Sequence, residues 1–207
     1  MTKSPLLSKK KSARILATAK LPTHFGNFII VAFTNNIDNK EHVALVKGAV
    51  AGKTNVPLRM HSECLTGEVF HSLRCDCLAQ LEAALKKISK LPRGVLIYLR
   101  QEGRGIGLSN KIRAYELQDK GMDTVQANRA LGFPSDMRDY KVAAEMIKQL
   151  GIKSIALITN NPEKISNLKS HGINVTKRIP HEFGKTKHNK AYLLVKKNKM
   201  GHLLTEV

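Results

Sequence analysis

A chain of 207 residues with 42% apolar content and a net charge of +19 can build one sizeable core, and its longest apolar runs, such as Phe28 to Phe33, are far too short to cross a bilayer. Three cysteines cannot all pair with one another, and two of them stand in a Cys-Asp-Cys run, which speaks against a disulfide framework and suits reduced thiols or a metal in the cytoplasm. The basic N-terminus has no apolar stretch behind it, so no secretory signal is expected.

Residues 1–13 read as a flexible basic leader, with Lys3, Lys9, Lys10 and Lys11 and no acid. Asn27 to Phe33 and His42 to Gly48 read as strands, joined by the polar, Asn-rich hairpin loop Thr34 to Glu41. Val56 to Ser62 is a third strand, and Leu78, Leu81, Leu85 and Ile88 then recur at helical spacing after Cys77. Gly94 to Leu99 is nearly continuous in apolar residues and reads as a buried strand. Leu108, Ile112 and Tyr115 predict a helix ending near Gly121, and Val142, Met146, Ile147 and Leu150 another that Gly151 stops. Ser154 to Thr159 is a strand, Pro162 opens a short helix through Lys169, and Ile173 to Ile179 is the next strand. Residues 183–201 hold Lys185, Lys187, Lys190, Lys196, Lys197 and Lys199 without an acid and read as a second solvated basic run, open also to an anionic substrate, RNA or a membrane surface. Strands and helices alternate from Gly94 onward and the front third is richer in strand, so the expected fold is α/β with α+β character at the start: a mixed sheet with flanking helices in a single domain.

Cys64, Cys75 and Cys77 carry the strongest chemical signal. Thiolates are good zinc ligands, and three protein ligands with an open fourth position describe a catalytic zinc. The helix beginning after Cys77 would favour the thiolate form of Cys75 and Cys77 through its N-terminal dipole. Two other readings stand beside this one: His61 or His71 could close the site as a fourth ligand, or the cysteines could be small buried hydrophobes. Two strand-loop-helix junctions suit phosphate. In Arg100-Gln-Glu-Gly-Arg-Gly-Ile-Gly107 the glycines expose backbone N–H groups and Arg104 adds a fork, although the G-x-G-x-G spacing does not fit a dinucleotide fingerprint. Thr159-Asn-Asn-Pro162 opens a helix with Lys164 in its first turn. Ordinary turn glycines and an ordinary helix cap explain the same strings. Arg59-Met-His-Ser-Glu-Cys64 ends a strand at a candidate ligand and is placed to hold a substrate, though His61 alone also fits a structural role. Asp136-Met-Arg-Asp139 lies between helices and reads locally as a cap with charged neighbours.

Together these strings resemble GTP cyclohydrolase II. The matching segments are Arg59 to Gly67, Ser72 to Cys77, Gln80 to Ala83, Arg100 to Arg104, Ile106 to Leu108 and Asn110 to Tyr115, followed by Asp123-Thr124, Asp136, Arg138-Asp139 and Thr159 to Pro162. Tyr192-Leu193 and Lys199 to Leu204 complete a resemblance over residues 14–204, leaving a tail at 205–207. The resemblance implies a zinc enzyme that hydrolyses GTP to 2,5-diamino-6-(5-phospho-D-ribosylamino)pyrimidin-4(3H)-one, formate and diphosphate at the start of riboflavin biosynthesis. It implies one Zn2+ per subunit on Cys64, Cys75 and Cys77, and Mg2+ with the GTP phosphates. It further implies a GTP site lined by Arg59, Met60, His61, Ser62, Glu63, Gln80, Glu102, Gly103, Arg104, Thr124, Thr159 and Lys164. Asp136 would be the proton acceptor, Arg138 the assigned nucleophile, and Tyr115 an assistant near the reacting imidazole carbon. A guanidinium is almost always protonated, so charge stabilisation is the alternative role for Arg138. The resemblance also implies a cytoplasmic homodimer with no membrane and no nucleic-acid partner. A basic RNA-binding protein on the same scaffold is the rival from another class, and the lack of aromatic interleaving in the basic runs speaks against it.

The sequence departs from the family pattern at Met60, where valine is common, at Gly105, where asparagine is common, and at Val195, where threonine often stands. No dihydroxybutanone-phosphate synthase segment accompanies these strings, so the cyclohydrolase reaction alone is expected.

Overall fold

The computed structural model describes residues 12–207. The chain starts with a long antiparallel hairpin, β1 (Ala13–Thr23) and β2 (Gly26–Asn35). Its turn is locked by Thr23, whose hydroxyl donates to the Gly26 carbonyl at 2.7 Å and accepts from the Phe25 N–H at 3.1 Å. Strands β3 (His42–Lys47), β4 (Val56–Ser62), β5 (Gly94–Leu99), β6 (Ile155–Ile158) and β7 (Val175–Ile179) complete a seven-stranded sheet in the order β1-β2-β3-β5-β4-β6-β7. The β1-β2-β3-β5 half is antiparallel, and β5-β4-β6-β7 is parallel. The expected mixed sheet and α/β class are therefore observed. β1, a largely exposed strand without a buried run, went unread in the sequence.

Of the stretch read as a leader, residues 1–11 lie outside the described residues, whereas Ala13 opens β1 and Ser12 is tied to the residue that follows β2. The Ser12 N–H donates to Asn36 Oδ1 at 2.7 Å, and Ala13 is 1% exposed in the core.

Seven helices flank the sheet among the described residues: α1 (Leu65–Glu68), α2 (Cys77–Ser89), α3 (Leu108–Asp119), α4 (Thr124–Ala130), α5 (Lys141–Gln149), α6 (Pro162–Ser170) and α7 (Lys190–Met200). The period-2 alternation of strands divides the core in two. On one face Val31, Phe33, Leu58, Met60, Val95, Ile97 and Leu157 pack with Val142, Met146 and Ile147 of α5. On the other, Phe28, Leu96 and Ile158 pack with Ala84 and Ile88 of α2. The β4–α2–β5 connection covers the second face, and the path from β5 through α5 to β6 covers the first. Chain paths thus part on either side of β4, and the loops leaving the carboxyl ends of β4, β5 and β6 bound a crevice, as open α/β sheets require. The same alternation puts Arg59 and His61 on the α2 face of β4, opposite Leu58 and Met60.

Two helices missed in the sequence have local explanations. α4 is short, but a capping box starts it: Asp123 Oδ1 accepts from the Val125 and Gln126 N–H groups, and Gln126 Oε1 accepts from the Asp123 N–H. α7 has no apolar stripe, and of its residues Leu193 is the one fully buried. Its lysines were read as a solvated run, and the structure corrects this for Lys196. That side chain is largely buried, with Nζ 2.6 Å from Asp76 Oδ1, so α7 is tied to the centre of the molecule.

His181, 1% exposed, joins the loop after β7 to α2: Nε2 lies 2.8 Å from the Gln80 carbonyl, and Nδ1 has no partner among the described residues. Burial, with Arg59 adding repulsion, pushes its pKa down to about 3, and His202 is likewise lowered to about 4. Above the ordinary imidazole value both states are neutral. Below pH ~6.5 the unfolded chain takes up the proton and the folded chain does not, so stability falls by up to about 1.4 kcal/mol per unit per group. The urea midpoint is expected to drop between pH 6.5 and 4.5, and less steeply in His181→Gln. An identical slope in that variant would remove His181 as a source of the acid sensitivity.

Candidate active site

Three loops meet at the carboxyl ends of the parallel strands. The first carries the cysteines. Cys64 follows β4, Cys75 and Cys77 flank the start of α2, and the three Sγ atoms all lie within 4.8 Å of one another, with Cys64 and Cys75 Sγ 3.7 Å apart. Tetrahedral zinc with Zn–S bonds near 2.3 Å holds its sulfurs about 3.7 to 3.8 Å apart, so the donor set fits the metal. Gly67 of α1 lies against this cluster. A Cβ there would sit 2.8 Å from Cys75 Sγ and 3.2 Å from Cys64 Sγ, so the cradle exists because position 67 has no side chain. Neither histidine considered as a fourth ligand belongs to the cluster. His61 is engaged elsewhere: its Nε2 lies 2.8 Å from Glu68 Oε1, and Tyr98 donates to the other Glu68 oxygen at 2.6 Å. Cys75 and Cys77 are half-buried and line the cleft, which does not suit plain core packing. The thiols share protons, and hydrogen bonds from Cys75 and Cys77, with Lys111 alongside, hold Cys64 far below the ordinary thiol range.

The second loop, after β5, is a 3-10 turn over Glu102–Gly105. Gly103 and Arg104 both adopt left-handed backbone, φ 62° and 61°, which glycine tolerates and arginine does only under constraint. This aims Arg104 at the Tyr192 ring, 5.8 Å away, and at the Ser135 carbonyl. Gly105 also has a positive φ, and a Cβ there would lie 3.2 Å from Met137 Cβ.

The third loop follows β6. Thr159 Oγ1 accepts from the Asn161 N–H at 3.0 Å, and Asn161 caps α6 by accepting from the Glu163 N–H at 2.9 Å. Pro162 occupies the first turn of that helix. Lys164 reaches back to donate to the Met60 carbonyl at 2.9 Å. Burial, then repulsion from Arg59 and Arg138, drive its pKa well below the ordinary lysine value, the signature of a cation that an anionic ligand would stabilise.

These loops bound an open cleft. It brings together Arg59, His61, Ser62, Glu63, Gln80, Glu102, Gly103, Arg104, Thr124, Thr159 and Lys164 with the three cysteines, Tyr115 and Arg138. Met60 does not line it, because its side chain is in the core and contributes a carbonyl alone. Asp136 lies behind Arg138, whose Nε is 2.9 Å and 3.1 Å from the two carboxylate oxygens and whose Nη2 reaches Oδ2. Burial opposes the Arg138 charge, yet Tyr140 and Asp136 raise its pKa above the ordinary arginine value. Burial raises Tyr115, which keeps its hydroxyl protonated; that hydroxyl is 3.4 Å from Thr66 Oγ1, and the Arg74 guanidinium sits 4.8 Å over its ring. Arg59 Nε, Arg104 Nη2 and Asn161 Nδ2 are buried donors without partners among the described residues. Buried donors rarely stay unpaired, and a ligand rich in acceptors would satisfy them.

Sequence reasoning missed Asp76, Lys111, Tyr192, Lys196 and His202, all of which line the cleft. Asp76 lies between two candidate ligands and could have been singled out on that ground. Lys111, Tyr192 and Lys196 come from helices, and His202 from the segment after α7, whose local patterns carry no chemical signal.

The family model described as GTP cyclohydrolase II matches residues 13–180. The chain is 54% identical over 192 residues to riboflavin biosynthesis protein RibBA of Endomicrobium trichonymphae, covering 93% of this chain and 48% of that protein. It is 54% identical over 184 residues to RibBA of Bacillus mycoides, covering 89% and 46%. It is 55% identical over 192 residues to GTP cyclohydrolase-2 of Aeromonas hydrophila, covering 93% and 98%. The chain thus spans about half the length of the RibBA relatives it matches.

Gly67→Ala tests the cradle. The added methyl is expected to displace Cys75 Sγ, to lower metal content below one ion per chain, and to cost about 1 to 3 kcal/mol from overpacking. Parental metal content in a folded Gly67→Ala variant would show that the sulfurs shift freely and that position 67 does not shape the site.

Proposed function

Because the chain belongs to the GTP cyclohydrolase II family, we propose that it hydrolyses GTP to formate, diphosphate and 2,5-diamino-6-(5-phospho-D-ribosylamino)pyrimidin-4(3H)-one, the opening step of riboflavin biosynthesis. The observation that carries this reading is the opening of a three-cysteine cluster and a set of buried cations onto one cleft. That pairing suits a substrate with a hydrolysable ring at one end and a polyphosphate at the other.

Three waters balance the reaction. One adds at the imidazole carbon and opens the ring to a formamide, a second releases that carbon as formate, and a third replaces diphosphate on the α-phosphorus. Zinc held by Cys64, Cys75 and Cys77 would supply Lewis acidity and make hydroxide available near neutral pH. The chain's own groups do the rest. Tyr115, whose hydroxyl burial keeps protonated, would hand a proton to the departing ring nitrogen. Arg59, Arg104, Lys164 and the capped start of α6 take up phosphate charge. His61, Ser62, Glu63, Gln80, Thr124 and Thr159 supply the polar lining around the nucleoside, and Glu102 and Gly103 shape the turn that presents Arg104. Asp76, Glu102 and Asp136 are each tied to a cation, so magnesium would arrive on the phosphates and not in a protein cage.

For Arg138 we favour an electrostatic clamp on the α-phosphate over covalent attack. Its fork already pairs with Asp136, and its pKa is raised, which removes the lone pair a nucleophile needs. Asp136 then orients the guanidinium. We further propose a homodimer in the cytoplasm; Leu16 and Phe70, 61% and 70% exposed, offer apolar surface for a second copy. Among the described residues no helix is long and apolar enough to cross a membrane.

Incubation of the zinc-loaded chain with GTP is expected to yield formate, diphosphate and the pyrimidine in equal amounts. Accumulation of a formamide or of a triphosphorylated pyrimidine would replace the proposal with a truncated reaction. In the clamp reading Arg138→Lys keeps a measurable share of diphosphate release while Arg138→Ala loses about 100-fold or more. Equal inactivity of both variants, with both still binding GTP, would favour the covalent role.

A further inference from the structure

Lys111 is a buried cation that the proposed reaction does not use. It lies on α3, 8% exposed, in the wall of the cleft nearest the cysteines. Its Nζ donates to Cys64 Sγ at 3.2 Å, to Thr66 Oγ1 at 2.8 Å and to Glu102 Oε1 at 2.8 Å. An ammonium has three protons, and all three are engaged within the protein, so none is left for a substrate. Glu102 is equally occupied: Oε1 also accepts from the Gly103 N–H at 2.9 Å, and Oε2 accepts from the Leu65 N–H at 2.7 Å. Leu65 follows Cys64 and opens α1, the helix that carries Gly67 beneath the sulfurs. Lys111 and Glu102 therefore grip Cys64 twice, through its sulfur and through the backbone that follows it.

We propose that Lys111 is the positioning residue of the three-thiolate centre, donating a charge-assisted hydrogen bond to the Cys64 sulfur that fixes its direction and weakens its electron donation to a bound divalent cation. The proposal rests on the reading of Cys64, Cys75 and Cys77 as metal ligands. Three thiolates around a divalent cation carry a net charge of −1. A cationic donor at one sulfur draws electron density away from the metal and keeps it a stronger Lewis acid, while its hydrogen bond holds the ligand in place. Glu102 fixes the ammonium in turn and holds the start of α1 through the Leu65 N–H, while the ammonium itself holds Thr66. A lysine that merely filled space between α3 and α1 would contribute to stability without touching the electronic character of the sulfur.

The test uses cobalt(II) as the probe in the full chain, because its sulfur-to-metal charge-transfer band reports thiolate donation directly. Two variants are compared with the parent: Lys111→Met, and Lys111→Met with Glu102→Gln, which leaves no buried carboxylate unpaired if the single variant fails to fold. The parent is expected to bind one cobalt with a near-ultraviolet charge-transfer band. The folded variants are expected to bind cobalt about 10- to 100-fold more weakly, with the band moved to longer wavelength. After zinc loading, kcat of a folded Lys111→Met variant is expected to fall with KM for GTP unchanged, since Lys111 has no proton free to touch substrate. Parental band position and affinity in the folded variants would overturn the proposal, whatever their thermal stability, and so would a raised KM with an unmoved band. Absence of a charge-transfer band in the parent would overturn the three-cysteine reading itself, an outcome distinct from failure of the role of Lys111.

Discussion

Asp76 is a carboxylate 2% exposed, flanked in sequence by two half-buried thiols, and four elements of the fold converge on it. Lys196 of α7 neutralises Oδ1, and Gln80, one turn into α2, donates to Oδ2 at 2.9 Å. Gln80 in turn accepts from Arg59 Nη2 at 2.6 Å, which ties the network to β4, and the other arginine fork nitrogen, Nη1, reaches the Ile158 carbonyl at the end of β6. A buried carboxylate without partners would cost several kcal/mol and would be protonated or expelled. The Cys75-Asp76-Cys77 turn can therefore stay in place only while α7, α2 and β4 are all docked. The geometry of the thiols is a consequence of that charge balance as much as of the local chain.

The same logic extends across the cleft. Arg59, Arg104, Arg138, Lys164 and Lys196 crowd one cavity, and a set of like charges in a partly desolvated space works against folding. Two of the five are balanced by carboxylates, Lys196 by Asp76 and Arg138 by Asp136. Lys164 has a carbonyl instead, and its depressed pKa records the repulsion that remains. Left-handed backbone at Arg104 adds local strain in the same place. Excess charge, unpaired donors and strain therefore coincide at one location.

The sheet supplies the frame. β4 runs between β5 and β6 with chain paths diverging on either side, and the three loops that carry the chemistry leave the same edge. Alternation along β4 sends Leu58 and Met60 into the core and Arg59 and His61 toward α2, so one strand both anchors the domain and lines the cleft. That division explains why Met60, which stands inside a functional string, serves as packing.

Much of this was legible in the residues themselves. Val56 to Ser62 and Gly94 to Leu99 were read with the bounds observed, the second because it is a local apolar run that β-branched Val95 and Ile97 mark. α2 and α5 were visible through their apolar stripes, and α6 through its Asn-Pro start. The types of the donor groups, three thiols at a fixed spacing and an arginine in a glycine-rich turn, were also plain, since ligand chemistry belongs to single side chains. Only the tertiary structure decided which distant residues complete the site. Lys196 meets Asp76 across 120 positions, and Lys111 meets Cys64 across 47. β1 and α7 lack the periodicity that betrays a buried face, and their lysines look like any solvated cation. A buried ion pair has no sequence period: it exists because packing removes water from two side chains at once, and that is settled by how the whole chain closes, not by the neighbours of either residue.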